Sequence, residues 1–294
     1  MKLKTLSKLG MALGLGLMLA ACNGGDTGSG SGKDSNSKEV NLAYVEWDTE
    51  IASTNVVGQV LEDLGYEVTL TPLDNAIMWE AVSKGEADGM VAAWLPHTHA
   101  DQYDKYSADL DELGENLAGA KIGLVVPQYM DVNSIEDLTN EADQTITGIE
   151  PGAGITAATE KALEDYENLA DWSLVTSSSG AMTTSLDKAL KNNEEIIVTG
   201  WSPHWKFAKY ELKYLEDPKG SYGGEETINT FARKGLKEDL PDVHTVLDNF
   251  HWTPEDMESV MSEITDGKDP KDAAKDWIAA NPDKVEEWTK DVAK

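Results

Sequence analysis

The segment TITGIEPGAGITAATEKALEDYE, Thr145–Glu167, changes its period half way along. Thr145 to Pro151 is rich in β-branched residues and reads as a strand. Gly152 and Gly154 then mark a turn, and Ile155, Ala158, Thr159, Ala162 and Tyr166 fall at helical spacing. Strand, glycine turn and helix in that order form the unit from which α/β folds are built. Outward in both directions the unit recurs. VNLAYVEW, YEVTLTPL, ADGMVAAWLP, AKIGLVVPQYM, WSLVTSS, EIIVTGWSP and TINTFARKGL read as strands. STNVVGQVLEDLG, NAIMWEAVSKGE and AMTTSLDKALKNNE read as the intervening helices, SIEDL as a short helix start, and charge-rich helical segments close the chain. The expected class is α/β, with mostly parallel sheets flanked by helices.

The plan is executed twice. VEWDTEIAST (Val45–Thr54) can be laid on GIEPGAGITA (Gly148–Ala157) with Glu46 on Glu150 and Ile51 on Ile155. An apolar run ending in W-x-P-H follows each, in AWLPHTH (Ala93–His99) and TGWSPHW (Thr199–Trp205), with Trp94 48 residues after Glu46 and Trp201 51 after Glu150. A chain of 294 residues has room for two lobes, expected at 39–125 and 126–231. Residues 232–294 are expected to return and pack as helices on the first lobe.

The formal net charge is −30, which excludes nucleic acid as a partner, since that needs a basic footprint. Lys2, Lys4 and Lys8 precede the apolar LGMALGLGLMLA, and LAAC ends on Cys22, the only cysteine. This reads as a secretory signal over 1–21. The pattern resembles that of bacterial lipoproteins, which implies a lipid anchor on Cys22. Residues 22–38 then form a Gly/Ser/Asp tether with nothing to bury. The apolar run is too short to span a membrane comfortably.

Trp47, Trp94 and Trp201 each end a strand, the position where parallel α/β sheets bind ligands. Aromatic faces hold a cation without a neutralising carboxylate, and a quaternary ammonium suits them best. The other tryptophans, at 79, 172, 205, 252, 277 and 288, read as packing or surface residues. PGAGI, opening a helix, offers free N–H groups to an anion. A tryptophan box beside such a turn makes a site for a zwitterion. The alternative is a metal-binding surface lipoprotein using His97 and His99. Metal sites want three or four converging ligands, and the other histidines show no matching spacing. No nucleotide loop or G-x-S-x-G elbow occurs, so neither a cofactor nor enzymatic activity is expected, and SSSG (Ser177–Gly180) reads as a polar loop in the cleft.

NLAYVEWDTEIASTNVVGQVLEDLGYEVTL, AWLPHTH, GLVVPQYM, ITGIEPGAGI, VTGWSPHWKFAKYELKYLEDPK and ARKGL together resemble the glycine betaine/proline betaine-binding proteins of bacterial ABC uptake systems. The resemblance covers nearly all of the chain after Cys22. It implies a two-lobed clamp of the periplasmic-binding-protein type (type II). It also implies a trimethylammonium head among Trp47, Trp94 and Trp201, and a carboxylate on His99 and the N–H groups of Gly154 and Ile155. His97 is then structural or superficial. The implied protein is an extracytoplasmic, lipid-anchored monomer that delivers its solute to an ABC permease for osmoprotection. Crossings between the lobes are expected near 123–128 and 229–234.

Overall fold

The architecture turns on one long strand, Leu110–Pro127, of 18 residues. The computed structural model describes residues 38–292. The expected signal peptide, Cys22 and all but the last residue of the expected tether lie outside the described residues.

The chain begins β1 (Glu39–Tyr44), α1 (Asp48–Asp63), β2 (Glu67–Pro72), α2 (Asn75–Ser83), β3 (Gly89–Leu95) and α3 (Ala100–Tyr106). The long strand is β4. The second cycle is β5 (Thr145–Thr147), α4 (Gly154–Asp165), β6 (Ser173–Val175), α5 (Ser179–Asn192) and β7 (Ile197–Ser202). There follow α6 (Trp205–Lys209), β8 (Leu212–Tyr214) and β9 (Glu226–Arg233). The chain then closes with α7 (Leu236–Asp239), α8 (Pro241–Asn249), α9 (Pro254–Thr265), α10 (Pro270–Ala280) and α11 (Pro282–Thr289).

The strand order is β2-β1-β3-β9-β4-β7-β5-β6, with β8 beside β4. Each lobe holds a parallel trio, β2-β1-β3 in the first and β7-β5-β6 in the second. The antiparallel β9 and β4 join them. Up to Ala120, β4 pairs with β9 of the first lobe; from Lys121 it pairs with β7 of the second. Its register slips at three points along β9, and Gly114 and Gly119 there have φ of +99° and +78°. Such bulges bend a strand and raise its twist, which lets one strand serve two sheets.

The crossings therefore differ from the expected ones. Residues 121–125, assigned to the first lobe, pair with β7 and β8. Residues 226–231, assigned to the second, form β9 beside β3. KIGLVVP reads as a buried strand whichever partner it has, and the partner is a tertiary matter. The polar front of β4, LDELGENLAG, gave no strand signal because bulges break its alternation.

β3 is buried along GMVAAW, as a strand covered on both faces must be. The charge-rich C-terminal segment divides into separate helices because Pro241, Pro254, Pro270 and Pro282 each occupy a first turn. Thr253 and Asp256 add a capping box to α9. Helices α9 and α10 pack on α1 of the first lobe, and α9 also touches α6 of the second. Beneath them Phe250, Trp252, Trp277 and Trp288 form one aromatic cluster. Trp277 and Trp288 stack at 5.6 Å, and the Trp288 indole donates to the His251 carbonyl at 3.0 Å.

Trp288 has no exposed surface. Trp288→Ala is expected to cost about 3–5 kcal/mol of folding stability, the range for deleting a buried aromatic. Urea unfolding measures this, and a loss under about 1 kcal/mol would mean that the α11 cluster is peripheral to the core.

Candidate ligand-binding site

The strand ends deliver three tryptophans to one place. Trp47 is the N-cap of α1, Trp94 is the penultimate residue of β3, and Trp201 lies near the end of β7. They line one cavity together with His99, Gly154 and Ile155. All six residues singled out in the sequence thus meet around one space. Thr98, Ile122, Ile149 and Ala153 complete the wall, so no acidic side chain lines it.

What holds the indoles was not legible in the sequence. The Trp94 indole donates to Glu50 at 2.8 Å, and the Trp47 indole donates to Glu150 of the opposite lobe. Both carboxylates act on the positive ring edge and leave the faces free. Burial raises Glu50 to about 7, against the hydrogen bonds it accepts from Thr49 and Trp94. The overlay of Glu46 on Glu150 does not reach this arrangement. Glu46 is exposed, and the buried Glu50 lies in the first turn of α1. An acidic residue in a helix's first turn is too common to have signalled this role.

His99 is fully buried. Its Nδ1 accepts the Trp94 backbone N–H at 3.1 Å, and the His99 backbone N–H donates to the Trp94 carbonyl at 2.9 Å. The ring proton must then sit on Nε2, which has no partner among the described residues. Burial lowers the imidazole to about 3, so His99 is a neutral N–H donor at any physiological pH. The loop before it is fixed by Glu226, which accepts the N–H groups of His97 and Thr98, each at 2.6 Å.

Opposite lies the start of α4, whose first N–H groups, those of Gly154 and Ile155, have no intrahelical acceptor. A Cβ on Gly154 would stand 2.0 Å from the Thr98 carbonyl oxygen. Only glycine lets the two lobes come this close. Asp48 makes a further link, accepting from Trp205 Nε1 at 2.7 Å and Ser179 Oγ at 3.2 Å. Burial alone would raise Asp48, but His204, Trp205 and Lys206 outweigh it and hold the carboxyl at about 2. Trp205, expected to be a packing or surface residue, therefore also joins the lobes. Ser178, Ser179 and Gly180 line a wider groove beside the cavity with Trp47 and Glu150.

The two W-x-P-H copies share a strand-end tryptophan on the cavity and a cis X-Pro bond, Leu95–Pro96 and Ser202–Pro203, but their histidines differ. His97 is exposed against Gly223, whereas His204 is buried and caps α6 by accepting the Lys206 N–H at 3.2 Å. His97 and His99 lie in different environments, one exposed and one buried with Nδ1 committed. Among the described residues no three His, Cys, Asp or Glu side chains converge as a metal site.

A family model described as "Substrate binding domain of ABC-type glycine betaine transport system" (OpuAC) matches residues 38–280. The glycine betaine/carnitine transport binding protein GbuC of Listeria monocytogenes serotype 1/2a (strain 10403S) is 56% identical over 160 residues, 54% of this chain. Those residues are 53% of GbuC, so the chain spans about half the length of that relative. Lactococcal OpuAC, in its closed-liganded conformation with glycine betaine, is similar with a TM-score of 0.84 and 57% identity, over 85% of this chain and 99% of that one. An ABC-transporter choline-binding protein in complex with choline has a TM-score of 0.82 and 28% identity, over 89% of this chain and 94% of the other. With a family model running through both lobes and into the C-terminal helices, the chain belongs to the substrate-binding domains of ABC-type glycine betaine transport systems.

Proposed function

We propose that this protein binds glycine betaine, and related zwitterions such as proline betaine, and delivers them to an ABC permease for osmoprotection, with no catalytic step. One observation carries the reading. Three indoles, a neutral imidazole N–H and the start of a helix surround a single cavity that no acidic side chain lines. In this reading Trp47, Trp94 and Trp201 hold the trimethylammonium head. Such a head cannot donate hydrogen bonds, loses little on leaving water, and gains from each π face. The carboxylate end takes the N–H groups of Gly154 and Ile155 and the Nε2–H of His99. Charge-assisted bonds of this kind are about twice as strong as neutral ones.

Both lobes supply parts of the cavity, so capture and closure are one event. The links from Trp47 and Asp48 to the opposite lobe form only when the lobes meet. Choline is the second reading, favoured by the likeness to a protein that binds it. Against it, choline ends in a hydroxyl and would leave three N–H donors without an anion. The proposed setting is the outer face of the membrane, with the chain anchored through Cys22 as a monomer; the basic, apolar and LAAC order of the first residues supports this. Among the described residues no helix is long and apolar enough to cross a membrane.

Changing Trp47, Trp94 or Trp201 to Ala should each weaken glycine betaine binding by about 1–2 kcal/mol, roughly five- to thirtyfold, with Phe milder than Ala. Trp288→Ala, outside the cavity, should leave the affinity of the folded protein unchanged. Isothermal calorimetry decides, and a larger loss at Trp288 than in the trio would put the site elsewhere.

His99→Ala should cost roughly ten- to a hundredfold in betaine affinity, the range for a hydrogen bond to a charged group. Because burial keeps His99 neutral down to about pH 3, that loss should be the same at pH 5.5 and pH 8. An imidazolium donor would behave differently, its contribution fading as pH rises through its titration. A loss present at pH 5.5 and gone at pH 8 would overturn the neutral assignment.

If Cys22 carries the anchor, Cys22→Ala should move the protein from the membrane fraction to the soluble one with betaine affinity intact. Unchanged fractionation would remove the lipid-anchor proposal.

A further inference from the structure

Behind Trp201 the fold buries a lysine. Lys206, in α6, has no exposed surface, and its ammonium stands 4.3 Å from the centre of the Trp201 ring. Its Nζ has no hydrogen-bond partner among the described residues. Trp201 lines the cavity and Lys206 does not, so the ammonium lies against the side of the indole turned away from it. An unpaired buried ammonium is costly, and methionine would fill the same space without that cost.

We propose that Lys206 is a specificity-determining residue: its ammonium, set behind the Trp201 wall, disfavours guests of net positive charge, such as choline, while leaving net-neutral betaines nearly untouched. The inference rests on the reading of the cavity as a site for quaternary ammonium zwitterions. A guest cation on the near face of Trp201 would lie about 9 Å from the ammonium, and at an effective dielectric of about 20 the repulsion weakens binding roughly tenfold or more. A betaine carries its own carboxylate a few ångströms away, and attraction to that group offsets most of the repulsion. The tryptophans cannot make this distinction, since both guests present them with the same head.

The surrounding charges set the sign of the pH dependence. Asp48, at the start of α1, is ionised and partly offsets the ammonium. His204 is neutral, lowered to about 4 by burial and by Lys206. Glu258 of α9 lies against the His204 backbone, with its carboxyl raised by burial. Tyr214 of β8, stacked on Phe207, keeps its proton because burial raises it further. Across the cavity Glu50 stands behind Trp94, raised by burial to about 7. Lys206 itself is lowered by burial to about 7, against the pull of Asp48. As pH rises past neutrality the ammonium is lost, and choline should gain on betaine. Glu50 ionises in the same interval and pushes the same way, so the two must be separated by substitution.

Calorimetric titration of the full chain with glycine betaine and with choline chloride, at pH 6 and pH 9, tests this. The wild-type ratio of betaine to choline affinity should fall more than tenfold between the two, with about tenfold from Lys206, the size expected for one charge at this distance, and the rest from Glu50. Lys206→Met should already show the lowered ratio at pH 6 and keep only the Glu50 part of the pH dependence. Glu50→Gln should retain the Lys206 part. An unchanged ratio at pH 6 in Lys206→Met overturns the proposal. If Lys206→Met does not fold, the Glu50→Gln profile decides, and a ratio independent of pH there overturns it equally. Failure of wild type to bind betaine would remove the site reading itself, whereas betaine binding with an unaltered ratio removes only the role of Lys206.

Discussion

The hydrogen bond from the Trp47 indole to Glu150 does two things at once. It fixes the plane of one wall of the cavity, and it ties the first lobe to the second. A wall made of π faces is useful only if the faces are held still, because cation–π attraction depends on the cation lying over the ring. Trp94 is held from within its own lobe, by Glu50 at its indole and by His99, whose ring Nδ1 accepts the Trp94 N–H and whose backbone N–H donates to the Trp94 carbonyl. Trp47 is held from across the cleft. One indole is thus fixed within its own lobe and another by the opposite lobe. Asp48, the next residue along, crosses the cleft as well, so the start of α1 is bonded to the opposite lobe at two consecutive residues.

The charges are arranged to the same end. The chain carries a net charge of −30, a field that draws any cation and selects none. No carboxylate reaches the cavity lining. Glu50 and Glu150 are turned to the rims of the indoles, where they satisfy N–H groups. The donors at the other end, His99 Nε2 and the first turn of α4, are neutral groups with fixed dipoles, and they favour an anion without adding a full positive charge. In the proposed site a zwitterion would meet complementary groups at both ends, and a simple cation at one only.

Close approach of the lobes limits what the backbone can be. Gly154 faces the Thr98 carbonyl and Gly223 faces the His97 ring, each at a distance that no Cβ could share. Glu226 presents the Thr98 loop to the second lobe from its place on β9. That strand runs next to β4, which passes through both sheets, so the loop, the helix start and the strand ends rest on one continuous framework.

The alternation of strands and helices, the strand-end positions of Trp47, Trp94 and Trp201, and the glycine turn that opens α4 are all legible in the sequence. These are local properties, written in periods of two and 3.6 residues and in the backbone freedom of glycine. The family resemblance added His99 and the N–H pair. The tertiary structure alone decided where β4 changes partners, that β9 belongs beside β3, and that Glu50, Glu150 and Asp48 hold the walls. It also decided that His99 is a neutral donor and that a lysine lies buried behind Trp201. Trp94 and Glu50 are 44 residues apart in the chain, and Trp47 and Glu150 are 103 apart. No local pattern reports which distant chain segment will return to a given side chain, and burial, hydrogen-bond partner and protonation all follow from that return.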